Sequence, residues 1–572
     1  MTSERALPRD FTQTLLNCLP NERGGFETAQ DALILLEQRQ FRSAAAAFDA
    51  LPNRNGASVW TLVCAGYCHL AVGNLDDALH FLQTATHRDA RCGIAHYCLG
   101  LAWYKNGEKE MAADSFSAAR RLLPELAAAA AYEATALFEL SKFAESLELL
   151  TGLLQKYPQD PDLLNQTGLV LLRGFGKARE ALEMFRRSRQ FGTDNIYDYR
   201  SNEALALRCL GEYDESIQLY DELIDGHDTP YLRWQRCLAL LSAQQFSRAW
   251  PDYRLRWLMP DSRKHSFVFP AWEPPSVPAE TILVLSEQGI GDQILFASCL
   301  PDLIEQAEHV AAQVVVECNE KLEQLFRRSF PKSRIVARHR ADDLQLARNL
   351  PQPNCRQIFL GDLPGLYRRD AGDFPPHHSF LRADPLRVAF WRTKLAKLGA
   401  GAKVGISWRG GLAHTNALLR SVGLDEWLPI IRHADCHFVS LQYGDVEADL
   451  SAQKKNGVAI QSWREANENY DETAALVASL DCVVSVCTSL VHLAGALGKP
   501  TAVLVPAVPE WVFAGAGDTM PWYPSVVLFR QAQVGDWGEP IERIAARLPD
   551  LARQTSRSTP YSSCLVLHRS AY

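Results

Sequence analysis

The chain reads as an α-solenoid followed by an α/β region of two Rossmann-like lobes, and three observations predict this. Small residues recur every 34 residues through much of the first half. A proline-dense stretch at 259–280 ends that pattern. Beyond it, short β-branched apolar runs alternate with helical segments. The clearest case is 481–506, DCVVSVCTSLVHLAGALGKPTAVLVP, whose two fully apolar runs flank a helix as in a parallel sheet covered on both faces.

The recurrence pairs Gly66 with Gly100, Ala78 with Ala112, Ala85 with Ala119 and Pro124 with Pro158. Small residues at such spacing let two helices approach closely, and the proline stops the second helix. That is the tetratricopeptide pattern. With one or two extra residues near 174–177 and 192–195, Ala134, Gly168 and Ala204 continue the first small position, and Ser146, Ala181 and Ser216 the second. Phe116, Leu150, Phe185 and Tyr220 follow as the large packing residue. A degenerate unit (Phe41, Ala45, Phe48) opens the series and one with Phe246, Ala249 and Tyr253 closes it, giving about seven units over 28–258 after an N-terminal segment, 1–27. A stack of this kind offers a surface to a peptide or protein; the alternative is a spacer or oligomerisation arm.

Prolines 260, 270, 274, 275 and 278 make 259–280 a hinge that no helix stack crosses, with Trp257 and Trp272 expected to pin the junction. An N-terminal lobe is expected over 281–385, with strands at 281–286, 312–317, 334–337 and 357–360 and helices at about 290–306 and 320–328. A C-terminal lobe is expected over 386–550, with strands at 403–408, 437–442, 458–461, 482–487 and 501–505. The serine-rich tail, 551–572, lacks periodicity and is expected to be disordered.

Composition narrows the function classes. Of the 572 residues 47% are hydrophobic and 22% charged, ordinary for a globular protein. A net charge of −8 argues against a nucleic-acid binder. The N-terminus MTSERALPRD lacks a secretory core, and no run of about 18 apolar residues occurs, so a membrane span is not expected. The 14 cysteines form no C-x-x-C pair, which fits buried thiols in a reduced, cytoplasmic setting.

Several residues stand where chemistry is expected. Gly289 and Gly291 form a glycine turn after the first strand, but Ile294 occupies the place of the third glycine in a dinucleotide fingerprint. Asp292 follows at the helix start, either as a carboxylate stabilised by the helix dipole or as a general base facing a cleft. Trp408-Arg409-Gly410-Gly411 ends a strand with a cation, and Arg420-Ser421 lies shortly after; arginine forks suit phosphate, and surface ion pairs are the alternative. Thr488 and Ser489 begin the helix of the 481–506 unit, where such folds hold phosphate, and His492 lies one turn on. No clustered His/Cys set appears, and the single D-x-D, Asp160-Pro161-Asp162, falls in a repeat loop, so neither metal nor other cofactor is expected.

Together the segments ILVLSEQGIGDQILFASCLPDL, KVGISWRGG with Arg420-Ser421, FVSLQYG, DETAALVASLDCVVSVCTSLVHLAGALGKP and WYPSVVLFRQ resemble the heptosyltransferase-like glycosyltransferases (family nine), which have the GT-B fold. The match spans roughly 279–548. Fusion to tetratricopeptide repeats resembles bacterial protein O-glycosyltransferases, including those proposed for flagellin, and is similar in layout to O-linked N-acetylglucosamine transferases, whose repeats present a protein acceptor. The resemblance implies that Asp292 is the catalytic base. It implies a donor nucleotide sugar bound by Gly289, Gly291, Trp408, Arg409, Arg420, Gln442, Thr488, Ser489 and His492. An acceptor protein, flagellin among the candidates, would lie on the repeats. The family commonly reads S-V-D-T where this chain reads Ser485-Val486-Cys487-Thr488, so backbone contacts to phosphate survive there but a carboxylate contact does not. The expected activity is inverting, metal-independent transfer to a Ser/Thr hydroxyl; the alternative is a repeat scaffold with catalytically decayed lobes.

Overall fold

A computed structural model describes residues 12, 15–16, 30–51, 57–192, 196–259, 269–273, 280–338, 354–375, 379–411, 417–515 and 517–554. Most of the expected N-terminal segment 1–27, of the proline-dense hinge and of the tail therefore lies outside the described residues. Contacts divide the chain into two compact units, with the boundary between Ala206 and Leu207.

The first unit is an α-helical repeat. Its helices are α1 (Gln30–Glu37), α2 (Phe41–Asp49), α3 (Val59–Val72), α4 (Leu75–Arg88), α5 (Gly93–Lys105), α6 (Lys109–Leu122), α7 (Ala127–Glu139), α8 (Phe143–Lys156), α9 (Pro161–Phe175) and α10 (Ala178–Phe191); α11 (Ile196–Cys209) crosses the boundary. The recurring glycines sit where the packing demands no side chain. A Cβ on Gly66 would lie 2.5 Å from Leu82, one on Gly100 2.6 Å from Phe116, and one on Gly168 2.5 Å from Phe185. Each glycine belongs to the first helix of a pair and receives a large residue from the second, which is the physical content of the sequence period. At the second small position Ser146 is fully buried and donates its hydroxyl to the Ala134 carbonyl at 2.7 Å, so a polar side chain is tolerated there.

The second unit begins with helices α12 (Tyr213–Gly226), α13 (Pro230–Ser242) and α14 (Phe246–Tyr253), closed by a 3₁₀ turn over Arg254–Leu258. A first α/β lobe follows: β1 (Thr281–Leu285), α15 (Ile290–Ala297), α16 (Leu300–His309), β2 (Gln313–Asn319), α17 (Glu323–Ser329), β3 (Arg334–Arg338), β4 (Cys355–Phe359) and α18 (Pro364–Tyr367). Its sheet is parallel, in the order β3-β2-β1-β4. The single helix expected over 290–306 is two helices, broken at Ser298–Cys299 just ahead of Pro301. A proline cannot donate to the turn before it and is tolerated only in the first turn of a new helix.

A second lobe holds α19 (Pro385–Ala396), β5 (Ala402–Ser407), α20 (Leu428–Ile431), β6 (Cys436–Ser440), α21 (Glu447–Lys455), β7 (Ile460–Gln461), α22 (Arg464–Glu468), α23 (Tyr470–Ser479), β8 (Cys482–Val486), α24 (Ser489–Ala496), β9 (Thr501–Val505), β10 (Val526–Arg530) and α25 (Gly538–Gln554). Its parallel sheet runs β10-β9-β8-β5-β6-β7. Strands β8 and β9 are buried along their whole length, as their nearly continuous apolar runs require, and the two polar side chains in them, Ser485 and Thr501, each donate to a backbone carbonyl.

Within this unit the last helices are built into the first lobe. Trp250 donates its indole N–H to the Arg368 carbonyl at 2.8 Å, and Tyr253 packs edge-on to Phe296. Trp257 packs with its ring centroid 4.4 Å from that of Phe359, tilted by 45°, and buried Trp272 donates its amide to the Gln357 carbonyl at 2.8 Å, so both tryptophans do sit at the junction. The lobes also meet: the Phe380 and Leu381 amides donate to the Ala496 carbonyl, and Arg328 pairs with Asp471.

Candidate functional site

In a parallel sheet the loops leaving the carboxyl ends of the strands gather at one edge, and helices that start there point their free N–H groups at it. Two such starts face each other here, one from each lobe. Gly289 caps α15, and Gly291 lies in its first turn. A Cβ on Gly291 would sit 3.1 Å from His492 Cδ2 and 3.4 Å from Ser489 Cα, so its bare backbone is what lets the first turn of α15 approach that of α24. Gly289, Gly291, Asp292, Ser489 and His492 therefore come from sequence positions about 200 apart to one meeting point, and Thr488 directly precedes Ser489.

Asp292, at the third position of α15, accepts the Gly289 N–H on Oδ2 at 3.0 Å. Burial is the main influence on it, reinforced by the Glu510 and Glu287 carboxylates and opposed by the Gly289 bond; together they raise its carboxyl to about 6. It is thus both of the things its position allows: a helix-start acceptor, and a carboxylate poised near neutrality.

On the opposite wall, Thr488 has extended backbone and makes no side-chain cap to α24; its hydroxyl lies 3.4 Å from that of Ser485. His492 is buried, which lowers its imidazole to about 4 and leaves the ring neutral at pH 7. Its Nδ1 is 3.2 Å from the Tyr523 hydroxyl, which burial pushes well above its ordinary value. The Cys487 thiol is buried and lies 3.6 Å from the Leu504 carbonyl, with the Glu510 and Arg420 charges acting on it.

The second lobe's sheet reverses its order between β5 and β8. Arg420 spans that crevice: Nη1 donates to the Cys487 carbonyl at 3.2 Å and lies 3.3 Å from Glu510 Oε1. Its backbone is drawn in by Gly410, where a Cβ would stand 2.9 Å from Arg420 Cβ, and by Ser421, whose hydroxyl accepts the Gly410 N–H at 3.0 Å.

The remaining expected residues are used differently. Trp408 is buried in the second lobe's core and gives its indole N–H to Asp449 at 3.1 Å. Gln442 is a bracket between β5 and β6: its Oε1 accepts from Ser407 Oγ and from the Trp408 and Arg409 amides at 2.8–3.0 Å, so its side chain is committed to backbone. Arg409 reaches the Asp445 carbonyl and lies 3.5 Å from Asp449. Glu510 and Tyr523, which sequence reasoning passed over, belong to the cluster. Tyr523 lies 31 residues from His492, and a glycine facing it, Gly495, has no room for a Cβ (2.4 Å from the Tyr523 ring).

A family model described as tetratricopeptide repeat matches residues 65–127 and 132–196. Protein FlbA of Caulobacter vibrioides (strain ATCC 19089 / CIP 103742 / CB 15) is 30% identical over 471 residues, covering 79% of this chain and 78% of that protein. Among solved structures, a chain of the APC/C hetero-tetramer Cut9–Hcn1 is 16% identical at a TM-score of 0.36, covering 44% of this chain and 50% of its own. YrrB, described as a tetratricopeptide protein with an unusual peptide-binding site, is 21% identical at a TM-score of 0.29, covering 33% of this chain and 96% of its own. PilF of Pseudomonas aeruginosa is 22% identical at 0.30, covering 36% and 93%.

Proposed function

The chain belongs to the family of Protein FlbA, and from that premise we propose that it is a glycosyltransferase moving a sugar from a nucleotide sugar to a Ser/Thr hydroxyl of an acceptor protein. One observation carries the proposal: a carboxylate raised to about 6 stands where helix starts from two parallel-sheet lobes converge. A general base is most effective when its pKa lies near the working pH.

In this reading the donor's diphosphate lies at the β5/β8 crevice of the second lobe, against the α24 start and Arg420. Asp292 takes the proton of the acceptor hydroxyl as its oxygen bonds to the anomeric carbon. The bond from that carbon to the phosphate oxygen breaks, the nucleoside diphosphate leaves, and the anomeric centre inverts. Charge developing on the leaving phosphate meets the helix dipole and the Arg420 guanidinium. Acceptor chemistry is proposed from the repeats, whose family binds peptides and proteins; flagellin is a candidate acceptor through the resemblance stated above.

A decayed scaffold is the competing reading, and Cys487 motivates it. Titration calorimetry with UDP, GDP, ADP and CDP decides between the two. The proposal expects one of them to bind, with Arg420→Ala weakening it about 10–100-fold through loss of a charge-assisted contact and Asp292→Asn leaving it within about threefold. Absence of binding by all four favours the scaffold.

A further inference from the structure

The first lobe's sheet also reverses its order, between β1 and β4. In an open α/β sheet the crevice beyond the strand ends at such a point ordinarily receives a ligand. Here the chain fills it with its own side chain. Leu285 and Phe359 are paired across β1 and β4; two residues beyond each lie Glu287 and Gly361, and between them sits Arg256 from the 3₁₀ turn that ends the last helical pair.

The fit is close on every side. Arg256 donates Nε and Nη2 to the two Glu287 oxygens, both at 2.6 Å, and Nη1 to Asp362 Oδ1 at 2.8 Å and the Tyr253 carbonyl at 2.9 Å. Arg256 is 5% exposed and Glu287 1%. The Gly361 amide donates to Glu287 Oε1 at 2.9 Å, and a Cβ there would stand 2.5 Å from that oxygen. The Tyr253 and Trp257 rings lie 4.7 and 4.6 Å from the guanidinium carbon, within cation–π range.

Glu287 opens the turn that ends at Asp292. Its neighbour Gln288 is held in the left-handed region at φ +58°, which a non-glycine residue keeps only when its surroundings hold it there. The Gln288 side chain donates Nε2 to the Tyr253 hydroxyl at 3.5 Å, so both side chains that start the turn are held from the same helical end.

We propose that Arg256 is a positioning residue: by filling the first lobe's crevice and gripping Glu287, it fixes the turn that presents Gly291 and Asp292 to the second lobe. The catalytic consequence rests on the glycosyl-transfer reading; the positioning does not.

The test is amide hydrogen exchange on the full chain, comparing wild type with Arg256→Gln and Arg256→Lys. Exchange over 287–292 is expected to accelerate about tenfold or more in Arg256→Gln, less in Arg256→Lys, while 482–496 is unchanged. UDP, GDP, ADP and CDP affinities should stay within about twofold. If transfer is assayed, kcat should fall about 100-fold with donor KM little changed, as expected when reacting groups are misplaced. Unchanged exchange over 287–292, or acceleration shared equally by both lobes, overturns the proposal. Should Arg256→Gln fail to fold, Arg256→Lys decides by the same criterion. A wild type that neither binds these nucleotides nor transfers sugar refutes the glycosyl reading, while the exchange comparison still decides the positioning.

Discussion

Replacing Asp292 by asparagine separates a structural carboxylate from a functional one. Asparagine can still accept the Gly289 N–H, so a residue kept only to begin α15 would lose its charge–dipole term, about 0.3–1 kcal/mol of stability. The raised carboxyl makes the opposite prediction. Its folded value, about 6, stands above the unfolded reference of 3.8. The ionised form is therefore disfavoured by folding: stability is full below about pH 4 and is lost as pH rises through 6. A two-unit shift corresponds to ~3 kcal/mol, discounted to about 1–3 kcal/mol for a group that solvent partly reaches. Urea unfolding at pH 4, 6 and 8 should show Asp292→Asn nearly equal to wild type at pH 4 and more stable by that amount at pH 8. Activity should move the other way. With a carboxyl at about 6, about 90% of the base is ionised at pH 7 and about 10% at pH 5, so wild-type kcat/KM should fall roughly tenfold across that span. Asparagine should remove transfer while nucleotide affinity remains. A variant less stable than wild type at pH 8, or one that still turns over, would refute the reasoning.

Further expectations follow from the same geometry. Glu510→Gln releases Arg420 from a partner 3.3 Å away and removes a carboxylate that raises Asp292; calorimetry should show nucleoside diphosphate binding tighter by about 3–10-fold, and the acid limb of the pH–rate profile should move to lower pH. Gly100→Ala places a methyl 2.6 Å from the Phe116 ring and should cost about 1–3 kcal/mol in thermal or urea unfolding through overpacking. A fragment cut at residue 281 leaves Glu287 buried without Arg256, a loss of about 3–5 kcal/mol; it should be insoluble or molten by circular dichroism, whereas one beginning at residue 207 should unfold cooperatively.

The sequence was most legible where a local rule repeats. The 34-residue spacing has a single cause, a large side chain meeting a bare Cα, and the structure shows it at Gly66, Gly100 and Gly168. Strands β8 and β9 were equally plain because burial on both faces leaves them almost wholly apolar, with Ser485 and Thr501 the polar residues among their ten positions. Strand β10 was not singled out: Val526–Arg530 carries an arginine at its end, and its burial alternates. At the site, the glycine turn and the Thr488-Ser489 helix start were visible as local motifs. Gln442 was legible as a residue near the edge, but its role was not, since its partners are 33–35 positions away. Arg256 and Glu287 were invisible for the same reason. An arginine and a glutamate 31 residues apart look like two surface charges until the fold puts both under cover.

The glycine-to-aromatic fit in the solenoid also has an evolutionary side. Residues 93–126 span one full period and contain both members of the Gly100–Phe116 contact. The residues bordering that stretch have nearly the same backbone: Cys92 precedes α5 at φ −74°, ψ 91°, and Leu126 precedes α7 at φ −80°, ψ 79°. Joining Cys92 to Ala127 would thus splice like onto like, removing one lock together with its own key. Such an excision would still strip α7 of the partners its neighbours supply, since Tyr132 packs on Tyr97 and Phe116, Glu133 pairs with Arg120 and Glu139 with Lys109; a change of array length therefore asks the next repeat to offer an aromatic and a cation in the same places.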